Sequence, residues 1–210
     1  MSVQEPRPVR FTTTSREFIE DVITTRQRLG LDQRDEVWDG EYHMSPLAGI
    51  EHQRIVLRLA SFLLAVADQH KLGAVFAGTN VRRPGSGKRD FRVPDVVFVS
   101  NARRSILSDV ACEGGPDVLF EIHSDDDESY LKKRFYAEQG VLEFFVVDVA
   151  TKRVELFKPS KGEMVETAAG ADGWFRSEPL GVELRRVEKP GDPPALEVRD
   201  ARSPTWSVLI

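Results

Sequence analysis

Gly115-Pro116-Asp117-Val118-Leu119-Phe120-Glu121-Ile122-His123 is the stretch on which the fold turns. Its apolar run is unbroken except for one acid, the pattern of a central strand covered on both faces. A carboxylate inside Val-Leu-Phe-Glu-Ile is costly to bury unless it is paired or binds a metal. About 26 residues earlier a second apolar run, Val93-Pro94-Asp95-Val96-Val97-Phe98-Val99, carries Asp95. Lys132 follows in a segment with helical spacing. Two carboxylates on neighbouring strands and a lysine on a helix are the parts of a Mg²⁺-dependent phosphodiesterase site, with Mn²⁺ as a substitute. The carbonyl of Ile122 could add a backbone ligand.

Outward from this centre, residues 1–14 form a polar, proline-bearing arm. A helix spans 15–29, with Phe18, Val22, Ile23 and Leu29 as a narrow apolar stripe. Val37-Trp38-Asp39-Gly40-Glu41-Tyr42 reads as a hairpin, because Asp-Gly favours a tight primed turn. The longest periodic segment is 49–71, where His52, Ile55, Leu59, Phe62 and Val66 recur at helical steps and Gly73 is the expected stop. A strand follows at 74–81, a turn at 84–90 and the Asp95 strand at 93–99. Ser124 to Asp127 suits a helix N-cap, with the helix running to Gly140. Strands are expected at 143–149 and 153–158, and short alternating segments after 159. Residues 1–35 form an arm and helix, 36–158 a core, and 159–210 a β-rich C-terminal extension of one mixed α/β domain.

The 210 residues are 40% hydrophobic and 30% charged, enough for one core. The net charge of −5 excludes a global basic field but not a local basic groove. One cysteine, Cys112, excludes internal disulfides and thiolate metal clusters and fits a reducing compartment. No stretch has the ~18 apolar residues of a membrane span, and no signal peptide is visible, so the expected location is cytoplasmic.

Each candidate has a plainer reading. Asp95 could be a turn acid at a strand start. Lys132 could form a solvated i,i+4 pair with Glu128, and Lys133 and Arg134 are read as solvated. His52 is either a core or capping histidine or the rim of the site. Glu41 is either a hairpin residue or a further acid near the metal. Asp125-Asp126-Asp127-Glu128 lacks the alternation of a calcium loop and is read as helix capping. Arg82, Arg83, Lys88, Arg89 and Arg92 lie within eleven residues and are either a solvated loop or a nucleic-acid contact.

Trp38-Asp39-Gly40-Glu41, Met44-Ser45-Pro46, Glu51-His52-Gln53-Arg54-Ile55, the Pro94-Asp95 strand, the Glu121 strand, and Lys132, Tyr136 and Gly140 to Asp148 occur here in order. This ordered set resembles the Uma-two family of restriction endonuclease-like proteins over roughly residues 36–158. The resemblance implies the PD-(D/E)xK nuclease fold, a restriction endonuclease-like mixed β-sheet flanked by helices. It implies Asp95 and Glu121 as metal ligands and Lys132 as the catalytic lysine. In the broader superfamily the lysine stands two residues after the acid, where this chain has His123. Ser124-Asp125-Asp126 also departs from the family's usual turn.

The expected function is Mg²⁺-dependent hydrolysis of DNA by a homodimer. The alternatives are a catalytically silent binding or regulatory module, and a nuclease acting on RNA. The dimer expectation rests on apolar residues near the C-terminus, including Trp206, Val208, Leu209 and Ile210, with no evident partner in the chain. Removal of Glu121 is expected to relieve repulsion between two acids, and so to leave stability intact or raised.

Overall fold

The computed structural model describes residues 15–124, 128–188 and 190–210; the arm at 1–14 and the Asp125-Asp126-Asp127 run lie outside the described residues. Helix α1 (Arg16–Arg28) begins at Ser15, whose Oγ accepts from the Phe18 N–H. Its stripe does not form a core, since Phe18 and Leu29 are exposed. Strands β1 (Glu36–Trp38) and β2 (Glu41–His43) form the expected hairpin. Asp39 and Gly40 both take positive φ, 48° and 92°, as a primed turn requires.

Helix α2 (Ile50–His70) buries Ile55, Val56, Leu59, Phe62, Leu63, Val66 and Ala67. It closes at Lys71, in the left-handed region, rather than at Gly73. Gly73 instead opens β3 (Gly73–Ala77), where a Cβ would stand 2.1 Å from the Val99 carbonyl oxygen. The single strand expected at 74–81 is two strands. Gly78, at φ 62°, turns the chain, and β4 (Asn80–Arg82) joins a different sheet.

After β5 (Phe91–Arg92), residues 93–95 cross to β6 (Val96–Ser100), so Asp95 precedes the strand rather than lying in it. A 3₁₀ turn (Asn101–Ile106) and β7 (Ala111–Glu113) lead to β8 (Val118–His123). The expected long helix is shorter: a 3₁₀ turn (Ser129–Lys132) runs into α3 (Lys133–Gln139), which ends at left-handed Gly140. Then come β9 (Glu143–Asp148), β10 (Val154–Ser160), β11 (Glu163–Thr167), β12 (Phe175–Ser177), β13 (Val182–Val187), β14 (Ala195–Asp200) and β15 (Ser203–Leu209).

The central sheet has the order β11-β10-β9-β8-β6-β3, with only β8 and β9 parallel. Strand β8 is buried on both faces. Phe120 and Ile122 pack with α2 and the C-terminal sheet β12-β13-β14-β15. Leu119 packs with Phe135 and Tyr136 of α3 and with Phe144. Phe120 and Phe145 stack at 4.8 Å on the two parallel strands, and burying each contributes about 2 kcal/mol. A smaller sheet, β2-β1-β5-β4-β7, lies on the α3 side, where Val81 and Cys112 join the second core.

This is a mixed α/β fold with mixed sheets flanked by helices and a C-terminal antiparallel sheet. Strand β11 belongs to the central sheet, so the boundary set at 158 falls inside β10. Of the C-terminal apolar residues, Trp206, Val208 and Ile210 find partners in the chain, while Leu209 is exposed. Trp206 and Val208 pack on the α2 core, with Trp206 5.6 Å from Phe62, and Ile210 is buried. Among the described residues no helix is long and apolar enough to cross a membrane.

Candidate active site

Alternation along β8 puts Leu119 and Glu121 on the face that meets α3. Leu119 enters the apolar cluster there, and Glu121 continues the row towards its edge. The Tyr136 hydroxyl donates to Glu121 Oε1 at 2.6 Å, and Lys132 Nζ donates to the same oxygen at 3.0 Å. Lys132 and Tyr136 lie one turn apart where the 3₁₀ segment passes into α3, which stacks them above the strand. Burial and the Glu121 carboxylate push the Tyr136 hydroxyl well above its ordinary pKa, so it remains a donor.

Lys132 has a second acid. Its ammonium donates to Glu36 Oε1 at 2.8 Å. Glu36 is fixed by the Val93 N–H on Oε1, at 2.8 Å, and by Trp38 Nε1 on Oε2, at 2.6 Å. The side chains of Lys132, Glu36 and Glu121 are only 9, 4 and 3% exposed. A buried ion costs several kcal/mol unless it is paired and hydrogen-bonded, and here one lysine serves two carboxylates. The solvated pairing of Lys132 with Glu128 is not what forms: Glu128 bonds His43 instead, at 2.9 Å. Glu36 escaped the sequence reading. Its one signal was a carboxylate opening the alternating Glu-Val-Trp strand.

Asp95 is also buried, with a different set of partners. Arg34 Nη1 donates to Oδ1 at 2.7 Å, and the Ile122 N–H donates to Oδ2 at 2.8 Å. His52 Nε2 lies 3.2 Å from Oδ2. Burial alone would raise the Asp95 pKa, but His52, the Ile122 amide and Arg34 outweigh it and hold it below the usual range. His52 Nδ1 is buried without a hydrogen-bond partner among the described residues.

The register of β6 and β8 ends at Val96 opposite Phe120, and one further step sets Asp95 opposite Glu121. Both acids therefore sit at the same end of the same strand pair, and the Ile122 amide donates to Asp95. Among the described residues they share no hydrogen-bond or ion-pair partner. Asp95 belongs to the Arg34–His52 cluster and Glu121 to the Lys132–Tyr136–Glu36 cluster.

The remaining candidates are dispersed. Glu41, exposed on β2, joins neither cluster; it lines a neighbouring groove of about 490 Å³ with Trp38, His43, Arg83 and Arg134. His123, on the Glu121 face, meets Tyr130 edge-on at 4.9 Å. Arg92 is buried, with its guanidinium carbon 4.6 Å from the Trp38 ring centre and 4.1 Å from that of Phe135. Its Nη1 donates to Asp90 and to the Val37 and Phe91 carbonyls, so it ties the small sheet together at the wall of that groove. Arg83 is tied to Asp90 and Glu138, both at 2.8 Å, and Arg82 lies 3.6 Å from Glu113. Lys88 and Arg89 are exposed on the turn, without an ion pair among the described residues.

Among the described residues no three His, Cys, Asp or Glu side chains form a ready cation cage. The donor chemistry at the strand ends nevertheless fits a hard divalent ion. Mg²⁺ commonly takes one or two carboxylates and fills its other positions with water and substrate oxygens.

The Uma2 family, described as "Putative restriction endonuclease", matches residues 24–187. Among solved structures the chain is similar to "a putative nuclease belonging to DUF820 from Anabaena variabilis ATCC 29413", at 16% identity and a TM-score of 0.55. That match covers 70% of this chain and 82% of the other, and at such identity it is a likeness of fold. Among curated proteins none matches.

Proposed function

The chain belongs to the Uma2 family, and on that premise we propose that it is a Mg²⁺-dependent endonuclease that hydrolyses DNA phosphodiesters. The observation that carries this reading is the buried Lys132 ammonium, bonded to Glu121 at the end of the strand pair that also ends in Asp95. Charge develops on the phosphoryl oxygens as water attacks phosphorus and the ester bond breaks. A preorganised ammonium in a site that excludes water stabilises that charge better than solvent does. Tyr136 and Glu36 fix the Lys132 side chain and the Glu121 rotamer, so little reorganisation accompanies the reaction. Asp95 and Glu121 would hold the metal, which activates a bound water and neutralises the phosphate. His52 steadies Asp95 from the α2 side.

A duplex cut on both strands needs two such sites, which favours a homodimer. A second reading, a fold retained for binding without turnover, draws on one observation: both Asp95 oxygens are already engaged by Arg34, His52 and the Ile122 amide.

Supercoiled DNA and structured RNA incubated with the protein separate these readings. Cleavage of DNA with Mg²⁺ or Mn²⁺, lost with chelator and in Glu121→Gln, is the expected result. Cleavage of RNA alone would move the substrate class. No cleavage of either, with no Mn²⁺ binding by calorimetry, would leave the binding module.

A further inference from the structure

We propose that the outward face of α2 is a self-association surface, on which a second copy of this chain docks antiparallel about a two-fold axis at Ser61. The inward face of this helix is fully used by the core. The outward face carries Ile50, Leu57 and Leu64 at 89, 68 and 44% exposure, seven residues apart. A seven-residue apolar repeat is the spacing of a helix–helix seam, whereas a solvated face is ordinarily polar. Met44 and Leu47, in the loop before the helix, are exposed as well. Exposed apolar residues repeated along one helix face mark an interaction site.

The charges on the same face are self-complementary. Arg54 stands seven residues before Ser61 and Asp68 seven residues after it. In an antiparallel pair centred on Ser61, Arg54 meets the partner's Asp68, and Leu57 meets the partner's Ala65. Leu64 then lies under the stem of the partner's Arg58, and symmetry makes every contact twice. A parallel pair would put Arg54 against its own copy and Asp68 against its own copy, which like charge opposes. Arg58 and Asp68 have no ion pair among the described residues. Arg54 bonds Glu51 through Nε and Nη2, which leaves Nη1 to reach across.

The crossing point suits close approach. Ser61 is small, and its hydroxyl already donates to the Leu57 carbonyl at 2.7 Å, so covering it strands no donor. A lipid surface would call for an evenly basic polar face, and Asp68 and Glu51 oppose that.

This surface goes beyond the nuclease reading, and its test uses neither metal nor nucleic acid. A monomer would remove this surface and the homodimer of that reading, but not metal-dependent cleavage, which is tested separately. Sedimentation of the full chain at micromolar concentration should give twice the monomer mass. Leu57→Glu combined with Leu64→Glu should give a monomer that still unfolds cooperatively, because both side chains are exposed, with a melting temperature that no longer depends on protein concentration. Arg54→Asp should weaken the dimer, and Arg54→Asp with Asp68→Arg should restore it. Ser61→Cys should form a disulfide-linked dimer on mild oxidation. Gln53→Cys, about 12 Å along the helix from the axis, should not. The only native cysteine, Cys112, is buried and does not interfere. A monomeric wild type, whether free or floating with anionic vesicles, overturns the proposal. So does a dimer that survives both glutamate substitutions, or one that is cross-linked in Gln53→Cys and not in Ser61→Cys.

Discussion

Lys132 donates to Glu36 across 2.8 Å, joining residues 96 apart in sequence inside the protein. The bond ties the hairpin at the start of the core to the turn that opens α3. Because Lys132 also holds Glu121, removing its ammonium would leave two acids buried against each other. Lys132→Met should therefore do two separable things. It should lower the cleavage rate by roughly 10²–10³, as expected for one lost electrostatic stabiliser. It should also cost roughly 3–5 kcal/mol of stability, because a broken buried pair leaves uncompensated charge. Adding Glu36→Gln should recover part of the melting temperature and none of the rate. Lys133→Met is the control, since Lys133 lies 3.6 Å from the Phe157 ring centre and makes no ion pair among the described residues. Equal rate losses from the two methionine variants would remove Lys132 from the site.

Glu121 reads differently once its partners are known. Relief of repulsion was the expectation from two acids alone. The structure adds Lys132 and Tyr136, both buried and both donating to Glu121 Oε1. Glu121→Ala should destabilise the fold by several kcal/mol, the scale of a broken buried pair, whereas Glu121→Gln keeps an acceptor and should melt closer to wild type. Thermal unfolding of the two variants checks this.

What the chain reveals without coordinates follows from range. The β8 strand, the α2 helix and the Asp39-Gly40 hairpin are local patterns: an apolar run, a helical period and a turn dipeptide. The break at Gly78 is not local. Residues 74–81 look uniformly strand-like, and only the separate partners of β3 and β4 show that the chain changes sheets. Glu36 was missed for the same reason. Its strand is three residues long, and its burial depends on a lysine far along the chain. Glu121 was legible as a carboxylate out of place in an apolar strand; Asp95 and Lys132 had plainer readings and gained their roles from the family resemblance, and the division of the acids into two clusters was not legible.

Glu51 gives a prediction in pH. Arg54 and Lys152 hold its carboxyl down to about 2 from an ordinary 4.5. A depressed folded-state pKa contributes stability that is present above the unfolded value and lost as pH falls through the folded one. Glu51→Gln should therefore melt below wild type at neutral pH, by about 2 °C, since Glu51 itself is half-exposed although its partner Lys152 is buried. The gap should close between pH 4.5 and 2. A gap that widens on acidification would reverse the sign of the argument.

Gly115 marks a seam between the approach to β8 and the end of α3. Its N–H donates to the Gln139 carbonyl at 2.8 Å. A Cβ there would stand 2.5 Å from the Val141 nitrogen and 2.8 Å from the Gln139 oxygen. Both contacts are backbone and cannot swing aside. Gly115→Ala should cost about 3 kcal/mol, seen as a lower denaturant midpoint with an unchanged slope.

Arg34 gives the sharpest question about the metal. Its guanidinium is 2.7 Å from Asp95 Oδ1 and its side chain is 40% exposed, while the acid beneath is buried. A divalent ion that uses this oxygen competes with the guanidinium for it, and the two cations also repel. Arg34→Met keeps an apolar stem and removes the competitor. A half-exposed pair is worth up to about 1 kcal/mol, so Mn²⁺ affinity measured by calorimetry should rise by about fivefold. Arg104→Met, exposed and outside both acid clusters, controls for bulk charge and should change affinity little. Equal gains from both variants would reduce the effect to net charge. A loss of affinity in Arg34→Met would show that Arg34 holds Asp95 in place for the metal rather than standing in its way.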